Sequence, residues 1–415
     1  MYRNFLINES HALRHRLIEL QPFALSTPMV SAASISSAAI KQINSILKAQ
    51  GYNLRHRIDD FINTMKDPKR LDSFEAQSRF ALLKLHFNNI LDQLDIFSDV
   101  MTQRSEYNTG VLIAGLDILA QDALTIPVPL YDVPPVVCFP ERGHGAAIRK
   151  ARTRLPGGIS NPVAVIQVPR ERLVGSGIAA SIIHEVGHQG STELKLKESI
   201  GHQIEQVMQH SMDATHKEAW DYYRRCLSEI LSDFWAMTHL GICATTGLMA
   251  VMSLPEIFLF RVNKEDPHPF PWFRVMLSIA FGTYLYPNKQ WNDLKKLWYS
   301  LYDTAKIPAE YKAFTEALLQ LAPSFVALVC THESEALKGH RLQDIFHCAD
   351  RSPDQLRTLF DAWKQTPQLM FKAAPSLVFA VIGQAKWDKR IGIQEECIIL
   401  TRLLKDWALQ RAESK

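Results

Sequence analysis

Apolar positions recur at helical spacing through the first 124 residues. Between Ser36 and Gln50, the residues Ile40, Ile43, Ile46 and Leu47 share one helix face, and Gly51 follows as a stop. Asp72 or Ser73 can cap a second helix carrying Phe80, Leu83, Phe87, Ile90, Leu91 and Leu94 to about Ser98; a third covers roughly Thr109 to Leu124. No proline interrupts the stretch between Pro68 and Pro127. At Thr125 the pattern changes. Residues 126–140 are extended and proline-rich, and Gly143, Gly145, Gly157 and Gly158 mark loops. Pro162 to Pro169 is the clearest strand. From Trp291 onward the chain reads as helical again, with breaks at Pro308, Pro323, Pro353, Pro367 and Pro375. These patterns predict a mainly α (α+β) protein in three regions: N-terminal helices over 1–124, a core with a small sheet over 125–290, and C-terminal helices over 291–415.

Composition narrows the classes. The chain has 415 residues, 47% of them apolar, and a formal charge of +3 with its cations scattered, so nothing asks for nucleic acid. The densest basic stretch, Arg149 to Arg154, reads as a solvated loop. Six cysteines without paired spacing suit reduced thiols, and the first residues meet Glu9 and His11 too early for a signal-peptide core; both point to a cytoplasmic location. Ala236 to Leu254 is apolar enough to be scored as a membrane span. Its histidine, threonines and glycines favour a buried helix pair instead.

One segment carries chemistry. His184-Glu185-Val186-Gly187-His188 puts two imidazoles four residues apart on one helix face, where both can hold a single Zn2+. Glu185 then stands beside the metal's open position, placed to take a proton from a metal-held water. Ser176 or Gly175 can start this helix, and Gly190 is placed to end it. The strand at 162–169 stops eight residues before the helix begins. It could form the edge of a cleft and bind an extended peptide, or belong to a small sheet with no binding role.

A catalytic zinc site needs a third protein ligand. Thr215 to Glu218 forms a capping box that starts a helix running through Cys226, Glu229, Asp233 and Ala236. Glu229 and Asp233 share a face. Glu229 can ligate the metal while Asp233 accepts the N–H of a ligand histidine. Two carboxylates in so apolar a helix are costly to bury without such partners. His144, His202, His210 and His239 read as surface or core residues, and His332-Glu333 lacks the second histidine of the pattern.

His184-Glu185-x-x-His188 followed by Glu229-x-x-Ser232-Asp233 resembles the gluzincin metallopeptidases, and the second segment is similar to that of the thermolysin family. The resemblance implies a zincin-like core, with His184, His188 and Glu229 as metal ligands, Glu185 as base and Asp233 orienting a ligand histidine. A third segment, Asp266 to Arg274, resembles the His-Pro element of the CAAX-processing and heat-shock endopeptidases. It implies His268 as an oxyanion donor and Arg274 as partner of Glu229 or of a substrate carbonyl. Read without the resemblance, this proline-rich turn only caps a helix from Trp272 to about Tyr284.

The expectation is therefore a zinc-dependent metallopeptidase acting on a peptide or protein substrate, with helical flanks that offer a surface to a protein partner. The alternative is a non-catalytic helical interaction protein whose zinc site is structural or vestigial, with Cys226 as the nearby residue able to close it.

Overall fold

The computed structural model describes residues 1–20, 29–67, 69–141, 146–169, 175–210 and 213–414. The N-terminal periodicity becomes three helices: α1 (Tyr2–Glu19), α2 (Ser37–Lys66) and α3 (Ser73–Thr102). Ser36 caps α2 by accepting from Ala39 N at 3.2 Å, and Asp72 caps α3 by accepting from Glu75 N at 2.8 Å. Gly51 does not stop α2. A helical glycine costs about 1 kcal/mol relative to alanine, and burial of Leu54, Ile58, Phe61, Ile62 and Met65 beyond it outweighs that cost. These side chains close a core with Leu13, Phe80 and Phe87. Helix α4 (Tyr107–Leu124) starts at Glu106, whose carboxylate accepts from Asn108 N and Thr109 N.

Three strands follow: β1 (Val136–Glu141), β2 (Ala147–Arg149) and β3 (Ala164–Pro169). Their order is β1-β3-β2, with β1 parallel and β2 antiparallel to β3. The clearest strand of the sequence is thus the central one. Its backbone groups are taken on both sides, so β2, not β3, presents an open edge, and the expected cleft edge shifts to residues 147–149. Buried Asp117 of α4 fixes the sheet to the helices, accepting from Arg104 at 2.8 and 3.0 Å and from Cys138 N at 2.7 Å. The basic stretch is no free loop: Arg149 lies in β2, Lys150 donates to Thr192, and Arg152 pairs with Glu193. Gly143, His144 and Gly145 lie outside the described residues.

The metal motif lies on α5 (Gly177–Glu193), followed by α6 (Leu196–His210) and α7 (Ala214–Arg225). Asp213, not Thr215, caps α7, and the single helix expected through Cys226 is two: the backbone turns there and α8 (Leu227–Leu240) begins. The apolar stretch 236–254 breaks at Gly241, whose φ of 55° disfavours any side chain, and continues as α9 (Ile242–Met252). Residues 236–245 are buried as expected, but beyond them α9 opens outward, and Ala250, Ser253 and Leu254 are exposed. Among the described residues one helix, Ala309–Cys330, is long and apolar enough to cross a membrane, and half of its apolar window is buried in the protein.

Helices α10 (Glu256–Leu259), α11 (Pro271–Leu285) and α12 (Gln290–Leu301) lead into the C-terminal set, α13 (Ala309–Cys330), α14 (Pro353–Gln365), α15 (Gln368–Lys372), α16 (Pro375–Trp387) and α17 (Ile393–Glu413). Pro308, Pro353, Pro367 and Pro375 stand at helix starts, as expected, but Pro323 lies inside α13. One apolar core runs from Ile113 in α4 to Trp407 in α17, crossing the expected boundaries at 124/125 and 290/291. None of the six cysteines is in a disulfide.

Gly190 does not end α5; it lies against the ring of Trp235 in α8, where a methyl group would overlap the indole. Gly190→Ala gains up to about 1 kcal/mol of helix propensity but overpacks a buried contact, at about 1–3 kcal/mol. The steric cost wins here because the overlap falls on a buried ring. Urea denaturation should show a lower midpoint for the variant, and an unchanged or raised midpoint would contradict this packing.

Candidate metal centre

His184 and His188 lie one turn apart on α5 and face Glu229 in the first turn of α8. Gly187 allows the approach, since a side chain there would meet the backbone of Ser232. Glu229 spans the two imidazoles: Oε2 is 3.2 Å from His184 Nε2 and Oε1 is 3.3 Å from His188 Nε2. All three donor atoms lie within 4.8 Å of one another, the one such group among the described residues. Zinc bonds of about 2.0–2.1 Å place neighbouring tetrahedral donors about 3.3 Å apart, so the donor set fits that ion. Cys226 stands apart, its thiol near the Asp266 carbonyl at 3.7 Å. Burial pushes that thiol up to about 12.

The surrounding shell fixes the donors. His184 Nδ1 is 2.8 Å from Asp233 Oδ1, which places a proton on Nδ1 and makes Nε2 the ring nitrogen that faces Glu229. Asp233 in turn accepts from Arg274 Nε at 2.6 Å and from Nη2 at 2.9 Å, a two-point clamp available to guanidinium but not to ammonium. Arg274 Nη2 also reaches Glu229 Oε2 at 3.5 Å. His268 Nε2 stands 3.4 Å from the same oxygen while its Nδ1 pairs with Asp266 at 2.8 Å. The predicted site residues His184, Glu185, His188, Glu229, Asp233, His268 and Arg274 therefore line one cleft, and Cys226 stays outside it. Ser228 was not singled out for a role; its hydroxyl lies 3.3 Å from His188 Nδ1. Its sequence signal is its place at the head of Ser228-Glu229-x-x-Ser232-Asp233, the segment that carries the resemblance.

Burial and charge set the protonation states. Burial disfavours the His184 imidazolium, but the hydrogen bonds and charges of Asp233 and Glu229 outweigh it and raise the group to about 9. His188 is pushed down to about 4 by burial and by the His184 charge. For Glu229, burial is overcome by His184, His188 and Arg274, which hold it at about 2. Asp233 is held well below the usual carboxylate range, its burial more than offset by Arg274 and His184. Glu185 is raised, chiefly by burial.

These groups floor a cleft of about 470 Å³. Ala147, Ile148 and Lys150 form its strand side, and Leu248, Val251 and Met252 of α9 form an apolar wall opposite. The other histidines stay out of the site. His202 and His210 are exposed or partly exposed on α6; His239 is buried against the Trp235 carbonyl at 2.9 Å, and its burial lowers it to about 3. His332 sits between Ser199 and Gln203.

No family model, curated protein or solved structure matches the chain.

Plasma emission spectrometry should find about one zinc per purified wild-type chain after zinc supplementation. The metal should be lost in both His188→Ala and Glu229→Ala, and metal retained in both would remove these residues from the site. The affinity should also depend on pH. At pH 7 the metal-free site carries a proton on His184, whereas His188 and Glu229 are already in their metal-binding forms. Zinc must displace that single proton, so binding should tighten roughly tenfold per pH unit from pH 6 to 8 and level off near 9. Chelator competition measures this, and a flat profile would contradict the protonated His184.

Proposed function

We propose that this chain is a zinc-dependent metallopeptidase of the gluzincin type. The observation that carries the reading is the meeting of His184, His188 and Glu229, three donors at zinc spacing, on the floor of a cleft that also holds Glu185. A bound Zn2+ would supply Lewis acidity and acidify a water to near-neutral pKa.

The chain's own residues supply the rest. Glu185, raised by burial, is matched to taking a proton from the attacking water and returning it to the leaving amine. His268 is held at Nδ1 by Asp266 and turns its Nε2 toward the site, on the side where a developing oxyanion needs a donor. Arg274 keeps Asp233 ionised and aimed at His184, a positioning role that leaves its second contact for Glu229. The open edge of β2 offers backbone groups to an extended peptide, which supports a peptide over a compact substrate.

The alternative of a closed structural zinc site needs a fourth protein donor. Cys226 does not join the group, and three donors with a cleft above them support a catalytic site.

Glu185→Gln should keep its zinc and lose turnover by about 10²–10⁴-fold. The measurement is cleavage of a proteome-derived peptide library by zinc-loaded protein, read by mass spectrometry, with metal content determined in parallel. Wild-type rates in the variant would remove Glu185 from the proton-transfer role.

A further inference from the structure

Lys150 follows β2 directly and lines the strand side of the cleft. Its ammonium donates to Thr192 Oγ1 at 3.1 Å, and that hydroxyl donates to the His188 carbonyl at 2.7 Å, so the cation is held against the metal helix one turn past a ligand. It is half-buried and has no carboxylate partner among the described residues. Arg274, which lines the same cleft, is different: it is engaged by Asp233 and Glu229.

The other charges of the cleft pair off. Asp233 is matched by Arg274, and a divalent ion in the donor set would match Glu229 and Glu185. Among the described residues that line the cleft, Lys150 is then the charge left without a carboxylate partner. A cation so placed in a walled site attracts an anion more strongly than one on the open surface.

Resting on the metallopeptidase reading, we propose that Lys150 selects substrates with a carboxylate close to the scissile bond. A peptide laid along the edge of β2 passes Ala147 and Ile148 and reaches Lys150 next. The carboxylate has two sources, an Asp or Glu side chain or the C-terminus of the substrate.

The test uses zinc-loaded full-length protein. Cleavage sites are mapped on a proteome-derived library, and one cleaved sequence is then made as Glu and Gln versions at the positions flanking the scissile bond, each with a free-acid and an amide C-terminus. Wild type should favour the acidic member of a pair by at least tenfold in kcat/KM. Lys150→Gln should lose that ratio, Lys150→Arg should keep it, and Lys150→Glu should reverse it in favour of lysine-bearing peptides. Binding of the same peptides to Glu185→Gln, followed by fluorescence anisotropy, should show the same ranking without turnover. Loss confined to the C-terminal pair assigns the free terminus; loss confined to the Glu/Gln pair assigns a side chain. Equal rates for acidic and neutral peptides in wild type, or a ratio that survives in Lys150→Gln, overturn the proposal. A zinc-loaded wild type that cleaves no peptide overturns the metallopeptidase reading instead, and this inference with it.

Discussion

Near-contact between the backbones of α5 and α8 is the constraint on which the site depends. Donor atoms on two helices reach 3.2 and 3.3 Å only if those helices run closer than ordinary side chains permit. Gly187 faces Ser232, and Gly190 faces Trp235, so small surfaces meet on the same side of α5 that carries the imidazoles. Trp235 then ties the pair to the N-terminal layer, because its indole N–H donates to the Ala123 carbonyl of α4 at 2.8 Å. The distance between the three donor side chains is thus set by the packing of the two helices.

A second constraint is electrostatic. Asp233 and Arg274 are nearly buried, and an ion pair so placed gains little net stability, yet removing one partner strands the other at about 3–5 kcal/mol. The pair is better understood through what it orients. Asp233 fixes the His184 ring, Arg274 fixes Asp233, and without a metal the proton on His184 balances Glu229 and Asp233. Such preorganisation costs folding stability and serves binding.

The two motifs and the mainly helical class were legible because both rest on short-range periodicity. His184 and His188, or Glu229 and Asp233, share a face whatever surrounds them. His268 and Arg274 were legible only through the resemblance, and the structure brings both to the ligand cluster. What misled was local punctuation. Gly51, Gly190 and Pro323 read locally as breakers, but a helix-breaking residue costs about 1–3 kcal/mol, and the burial on either side of it exceeds that. Strand order was illegible for another reason: pairing β3 between β1 and β2 is a long-range choice with no trace in the strand's own residues.

The C-terminal helices show how far such long-range choices extend. Glu396 opens α17, 220 residues from Ser176, and its buried carboxylate accepts from Ser176 N at 2.9 Å and from the Ser176 hydroxyl. Lys386 holds it from the other side at 2.7 Å. A negative charge there satisfies free N–H groups at the start of the metal helix and complements its dipole. The other end of α5 is held by Arg152, through Glu193. A helix clamped at both ends by distant parts of the chain cannot shift its histidines along its axis without breaking a buried polar contact. The flanks that carry no evident chemistry thereby set the position of the residues that do.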